Sequence, residues 1–197
     1  AEGQIHRLDP SSGDLRSIQA HTQGVTALTM LDGRLVSASD DKTIAVWDAA
    51  TLEPLRQGKA HAFLVNSLFW ERGTGALWSS SSDGDLKAWS WPDLEVSEVV
   101  SPDRSPKAAL WVDRARDLAL VGTWDGNWLQ LERRGGGWEA VRRQATGSRG
   151  VYSVTELDGP AAVVLLGVGP TSLWVFDLER RDAWPLPLPG VELGWVV

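Results

Sequence analysis

Residues 37–55, SASDDKTIAVWDAATLEPL, set a short alternating apolar run between a polar turn and Trp47-Asp48, and residues 79–96, SSSSDGDLKAWSWPDLEV, repeat that arrangement. A period-2 run bounded by Asp, Gly and Ser is the pattern of a half-buried strand entered through a tight turn. Aligned on the turn, DKTIAVWD, DGDLKAWS and DGNWLQLE begin at Asp41, Asp83 and Asp125, a constant spacing of 42 residues. PTSLWVFD begins 45 residues later at Pro170, and GQIHRLD places Leu8-Asp9 39 residues before Trp47-Asp48. Spacings of this size belong to a repeated four-stranded unit.

Within each period the apolar residues alternate or form short blocks between Gly, Asp, Ser and Pro, with no helical stretch. The first unit predicts strands at 25–30, 35–39, 43–47 and 54–59, and the second at 65–70, 76–80, 85–89 and 96–100. The third predicts 108–112, 118–122, 127–131 and 138–142, and the fourth 152–156, 162–167, 173–177 and 182–186. Each unit therefore reads as an antiparallel meander. Partial-unit strands are expected at 4–8 and 15–19, and a last one from Val191.

The composition narrows the function classes. The 197 residues carry a formal charge of −7 and no cysteine, which removes disulfides, thiolate metal sites and cysteine nucleophiles. No dense cationic tract offers a phosphate-backbone partner, so no nucleic acid is expected. Arg133, Arg134, Arg142, Arg143 and Arg149 read as solvated strand-end and loop residues. The longest apolar run, AAVVLLGV from Ala161, suits a buried strand and is too short for a membrane span. AEGQIHRLDP has no targeting character, and a cytoplasmic location is expected. No phosphate-binding glycine loop, His/Glu metal pair or nucleophile motif stands out, so neither cofactor nor metal nor catalytic residue is assigned.

Trp47-Asp48 after SASDDKTIAV, the recurring turn Asp, and His21 and His61 about twenty residues before that turn together resemble the WD40-repeat family. The resemblance implies an all-β, WD40-type β-propeller: four complete four-stranded antiparallel blades with partial blade strands at both ends. The units are roughly 21–60, 61–103, 104–147 and 148–190, with partial strands in 1–20 and 191–197. Pooling the end strands into one blade would lack its second strand, and an open arc would bare apolar faces. The expectation is therefore a portion of a larger, seven-bladed ring completed by another chain or segment.

The resemblance also implies a buried hydrogen-bond network in the first two units. It consists of His21, Ser37 or Ser39, Asp41 and Trp47, and of His61, Ser79 or Ser81, Asp83 and Trp89. Both serines of each pair share a strand face, so alternation leaves the choice open. The third unit has Leu131 for the Trp and no His, and the fourth has Phe176 for Trp and Pro170 for Asp. Both are expected to rely on apolar packing alone, from Trp111, Trp128, Trp174 and the run 163–166.

Functionally, the resemblance implies a noncatalytic scaffold presenting its face to a protein or peptide. The alternatives are a quinoprotein-like enzyme or cofactor-binding domain acting at the central channel, and a structural domain of a multidomain protein. In this family the loops entering the first strand and those between second and third strands share one face. By alignment, that face offers Asp40, Phe63, Asn66, Trp124, Arg149 and Tyr152 as partner contacts. Trp124 is the leading candidate, the competing reading being that it covers the third unit in place of the Trp missing at 131.

Overall fold

The computed structural model describes residues 2–157, 163–168 and 172–186. Those residues form eighteen strands and no helix. β1 (Gln4–Leu8) and β2 (Leu15–Gln19) make a two-stranded ladder. The first four-stranded sheet is β3 (Val25–Leu31), β4 (Arg34–Ser39), β5 (Thr43–Asp48) and β6 (Pro54–Lys59). The second is β7 (Val65–Glu71), β8 (Ala76–Ser81), β9 (Leu86–Trp89) and β10 (Val96–Val100). The third is β11 (Lys107–Asp113), β12 (Leu118–Thr123), β13 (Asn127–Arg134) and β14 (Gly137–Ala145). The fourth is β15 (Val151–Leu157), β16 (Val163–Val168), β17 (Ser172–Asp177) and β18 (Asp182–Leu186).

Every sheet pairs in chain order, so each is a meander. The largest departure from the expected strand ends is in the third sheet, where β13 and β14 run to a two-residue turn with Arg134 opposite Gly137. Gly135 and Gly136 both have positive φ, +57° and +89°. That is the turn whose twist matches the flanking strands, so pairing continues to the tip. The strand expected from Val191, the turn position Pro170 and the start of the 162–167 strand lie outside the described residues.

Strand alternation gives each sheet two apolar faces, and the core is a series of layers between successive sheets. Ile5, Ala20, Ala45 and Trp47 pack between the two-stranded ladder and the first sheet. Val36, Ala38, Ile44 and Val46 of the first sheet meet Val65, Leu77 and Trp89 of the second. Trp78, Leu86 and Ala88 then meet Ala119, Val121, Leu129 and Leu131. Trp111, Leu118, Leu120 and Trp128 meet Val164, Leu166 and Phe176. The residue closing the third strand of each sheet, Trp47, Trp89, Leu131 or Phe176, thus faces the preceding sheet. β12 is buried along its whole length because both of its faces are covered. Leu28 and Met30 of β3 fall outside these layers and are 53% and 58% exposed. The described sheets do not close into a ring.

The first strands β3, β7, β11 and β15 lie side by side in succession. Each has a register shift at the same place: between Val25 and Ala27, Val65 and Ser67, Lys107 and Ala109, and Val151 and Ser153. A bulge leaves one residue unpaired and re-aims its side chain. Here the extra residues are Thr26, Asn66, Ala108 and Tyr152.

Candidate functional site

Those four bulge residues line a common cavity of about 600 Å³, together with Leu64 and three turn residues, Asp40, Ser82 and Trp124. The turn residues occupy one position of the repeat, 42 residues apart, at the β4–β5, β8–β9 and β12–β13 turns. The cavity is therefore built from two equivalent columns of the repeat, one set by bulges and one by turns.

The bulges also tie neighbouring sheets together around the cavity. Thr26 Oγ1 donates to the Val65 carbonyl at 2.5 Å. Asn66 Nδ2 donates to the Lys107 carbonyl at 2.6 Å and to Ser82 Oγ at 2.9 Å. Ala108 has no side-chain donor to continue the series. There the sheets approach so closely that a Cβ on Gly122 would stand 2.3 Å from the Val151 carbonyl oxygen.

The cavity wall is chemically uneven. Trp124 is 46% exposed, and its ring stands 5.2 Å from that of Tyr152 at 64°, an edge-to-face pair. The Tyr152 ring lies over Gly150, where a Cβ would come within 2.5 Å of it, so only glycine leaves room for this placement. Across the cavity, the Asp40 carboxylate accepts no hydrogen bond and joins no ion pair among the described residues. Its pKa is raised from the usual carboxylate value by burial, with Glu2 and Asp41 adding like charge.

Of the other expected contact residues, Phe63 is 57% exposed with the Lys42 ammonium 5.6 Å from its ring centre, and Arg149 is exposed. Neither lines the cavity. Leu131 is buried between the second and third sheets, close to Trp78 and Trp138, while Trp124 stands away from it against Tyr152.

The scaffold beneath the cavity holds the expected networks. In the first sheet, Trp47 Nε1 donates to Ser37 Oγ at 2.9 Å, Ser37 lies 2.7 Å from His21 Nε2, and His21 Nδ1 lies 3.1 Å from Asp41 Oδ2. In the second, Trp89, Ser79, His61 and Asp83 repeat the series at 2.9, 2.8 and 3.0 Å. The indole can only donate and the carboxylate only accept. The proton order that satisfies the chain is therefore Trp N–H to Ser, Ser O–H to Nε2, and Nδ1–H to Asp, with a neutral imidazole. Burial supports this by pushing His61 below its usual pKa, against the pull of Asp83. Burial opposes ionisation of Asp41, but hydrogen bonds from the Thr43 hydroxyl and the Thr22 and Thr43 amides, with His21, hold it at about 2.

The choice between serines resolves into two roles. Ser37 and Ser79 sit within the networks. Ser39 and Ser81 instead accept from the Asp41 and Asp83 amides at 3.0 and 3.1 Å, fixing the turn.

The third sheet corrects the expectation of apolar packing alone. Lys107 is fully buried where Val65 stands in the second sheet, and Asp103 takes the place of His61. Lys107 Nζ bonds Asp103 Oδ1 at 2.5 Å and also the Ser105 carbonyl. Arg143 then bridges Asp103 and the turn residue Asp125 at 2.5 and 2.6 Å. The signal was present in the alignment as a Lys in an apolar column and an Asp in the His column. The basic cluster is otherwise largely paired: Arg142 with Asp182 and Arg134 with Glu132.

Meander sheets stacked in chain order about a common cavity, each closed by an aromatic or apolar residue on its predecessor, define a β-propeller assembly. The chain carries a WD40 repeat and is similar to WD40-repeat proteins. The family model for the WD domain, G-beta repeat, matches residues 13–48. Human coronin-7 is 33% identical over 99 residues, covering 48% of this chain and 9% of coronin-7. An uncharacterized WD repeat-containing protein of Schizosaccharomyces pombe is 34% identical over 82 residues, 41% of this chain and 16% of that protein. Mouse pre-mRNA-processing factor 19 is 22% identical over 169 residues, 82% of this chain and 33% of the factor. The chain thus spans a third or less of these relatives. WD40 proteins are typically interaction scaffolds. Among the described residues, no group of three or more His, Asp or Glu could hold a metal ion, and no helix is long and apolar enough to cross a membrane.

Proposed function

We propose that this chain is a noncatalytic protein-interaction platform that takes a peptide segment of its partner into the cavity at the channel mouth. The observation that carries the reading is the set of four equivalent bulges, which turn Thr26, Asn66, Ala108 and Tyr152 into one cavity. The bulges aim these side chains at the cavity, and Trp and Tyr supply large contact area at small entropic cost. The networks below hold the turns that carry Asp40, Ser82 and Trp124, so the surface is preorganised.

The test is a screen of the chain against an immobilised library of short peptides, followed by affinity measurements on the hits with Trp124→Ala, Tyr152→Ala and the distant Leu55→Ala. The first two should weaken binding about tenfold or more with little change in melting temperature, while Leu55→Ala should bind normally. Hits indifferent to both aromatic substitutions would place the binding surface elsewhere and sink the proposal.

A further inference from the structure

Resting on that reading, we infer that the cavity recognises a cation, the ammonium or guanidinium of a lysine or arginine side chain on the bound peptide. Two independent features of the wall converge on this chemistry. The first is the unpaired Asp40 carboxylate. It lines the cavity, is partly buried, and has neither donor nor counter-charge among the described residues, whereas Asp41, Asp83, Asp103 and Asp125 all have several partners. A half-desolvated carboxylate without a partner is unfavourable in the free protein, and an incoming cation removes that penalty. The neighbouring charges of Asp41 and Glu2 make the local field more negative still.

The second feature is the Trp124–Tyr152 pair, which stands at the same cavity one turn position removed by two sheets from Asp40. Trp124 is 46% exposed where it lines the cavity, and an indole face is the strongest cation-binding surface among side chains. An apolar ligand would use the rings but leave Asp40 buried further and unpaired. An anionic ligand would be repelled by Asp40 and Glu2. A neutral donor would pair Asp40 but draw little from the indole face, whereas a cation draws on both walls, and the net charge of −7 favours its approach.

The inference is tested with four peptides of one glycine-rich sequence carrying lysine, trimethyllysine, arginine or norleucine at the centre, with tetramethylammonium chloride as the free cation. Binding is read from the Trp124 indole N–H resonance, identified by its loss in Trp124→Phe. At least one cationic peptide should shift that resonance saturably, norleucine should bind about tenfold more weakly, and Asp40→Asn should cost the cationic peptide about tenfold. Norleucine binding as tightly as the cations, or Asp40→Asn without effect, overturns the cation while leaving the peptide site standing. Saturation by tetramethylammonium with no response to any peptide overturns the peptide-borne form. No response from any probe overturns the inference, and indifference of library hits to Trp124→Ala and Tyr152→Ala separately removes the site beneath it.

Discussion

The second and third sheets perform one mechanical task with opposite chemistry. In the second, His61 on the loop before β7 is joined to Asp83 in the β8–β9 turn through a neutral series that ends on the Trp89 indole. In the third, Asp103 on the loop before β11 is joined to Asp125 in the β12–β13 turn by the Arg143 guanidinium, while Lys107 neutralises Asp103 from inside. What the fold requires is a link between those two loops, and the residue types that make it are exchangeable. The costs differ. The histidine series leaves one nearly buried ion, the Asp83 carboxylate held by backbone amides, whereas the third sheet also buries an ammonium that burial presses below its usual pKa despite Asp103. An ion pair of that kind is sensitive to loss of either member.

The largest effect should therefore follow Lys107→Ala, which leaves Asp103 with the outer Arg143 as its one cation beside the Ser105 amide and hydroxyl, and opens a void beneath β11. We expect a loss of about 3–5 kcal/mol in urea unfolding. A loss under about 1 kcal/mol would show that the ionic link carries no stability, and the comparison with the second sheet would break.

An intermediate effect should separate the serines. Ser79→Ala removes the acceptor of the Trp89 indole and the donor to His61, and should cost about 1–3 kcal/mol. Ser81→Ala removes a turn bond to the Asp83 amide and a long 3.5 Å bond to the Phe63 carbonyl, and should cost clearly less in the same urea series. Equal losses would mean that the network has no special weight.

The smallest effect at any one pH is a slope. His61 is held below its ordinary value of 6.5, so on acidification the unfolded chain takes up its proton first. Its contribution is complete above pH 6.5 and declines below it. Asp41, at about 2 against an ordinary 3.8, acts in the same direction but lower, losing its contribution as pH falls from about 4 to about 2. Urea midpoints should fall in two steps, and His61→Gln should remove the upper one alone. An upper step that persists in His61→Gln would assign it to another group.

The contrast also shows where the sequence was legible. The sheets could be read because alternation and Gly/Asp turns mark strand boundaries directly, and because the turn Asp recurs at constant spacing. His21, Asp41, Trp47 and their counterparts in the second unit sit in matching columns, and it was the resemblance to WD40 repeats that implied their meeting. Ser37 could not be told from Ser39, since alternation puts both on one face and only the reach from Trp47 to His21 separates them. The ionic link was missed because it uses different residue types in the His and Val columns. The bulges left no mark, because one unpaired residue in a seven-residue strand is visible only through its partner's register.

Those bulges have a further consequence. At a single repeat position the chain carries Thr26, Asn66, Ala108 and Tyr152, which differ in size, polarity and hydrogen-bonding capacity, while the sheets around them keep the same ladder. The four sheets thus keep one register with four different side chains at the unpaired position, two of which, Thr26 and Asn66, also bond the next sheet. The lining of the cavity is in this sense a set of different letters on a fixed frame, with the recognition surface written at a position the ladder does not dictate.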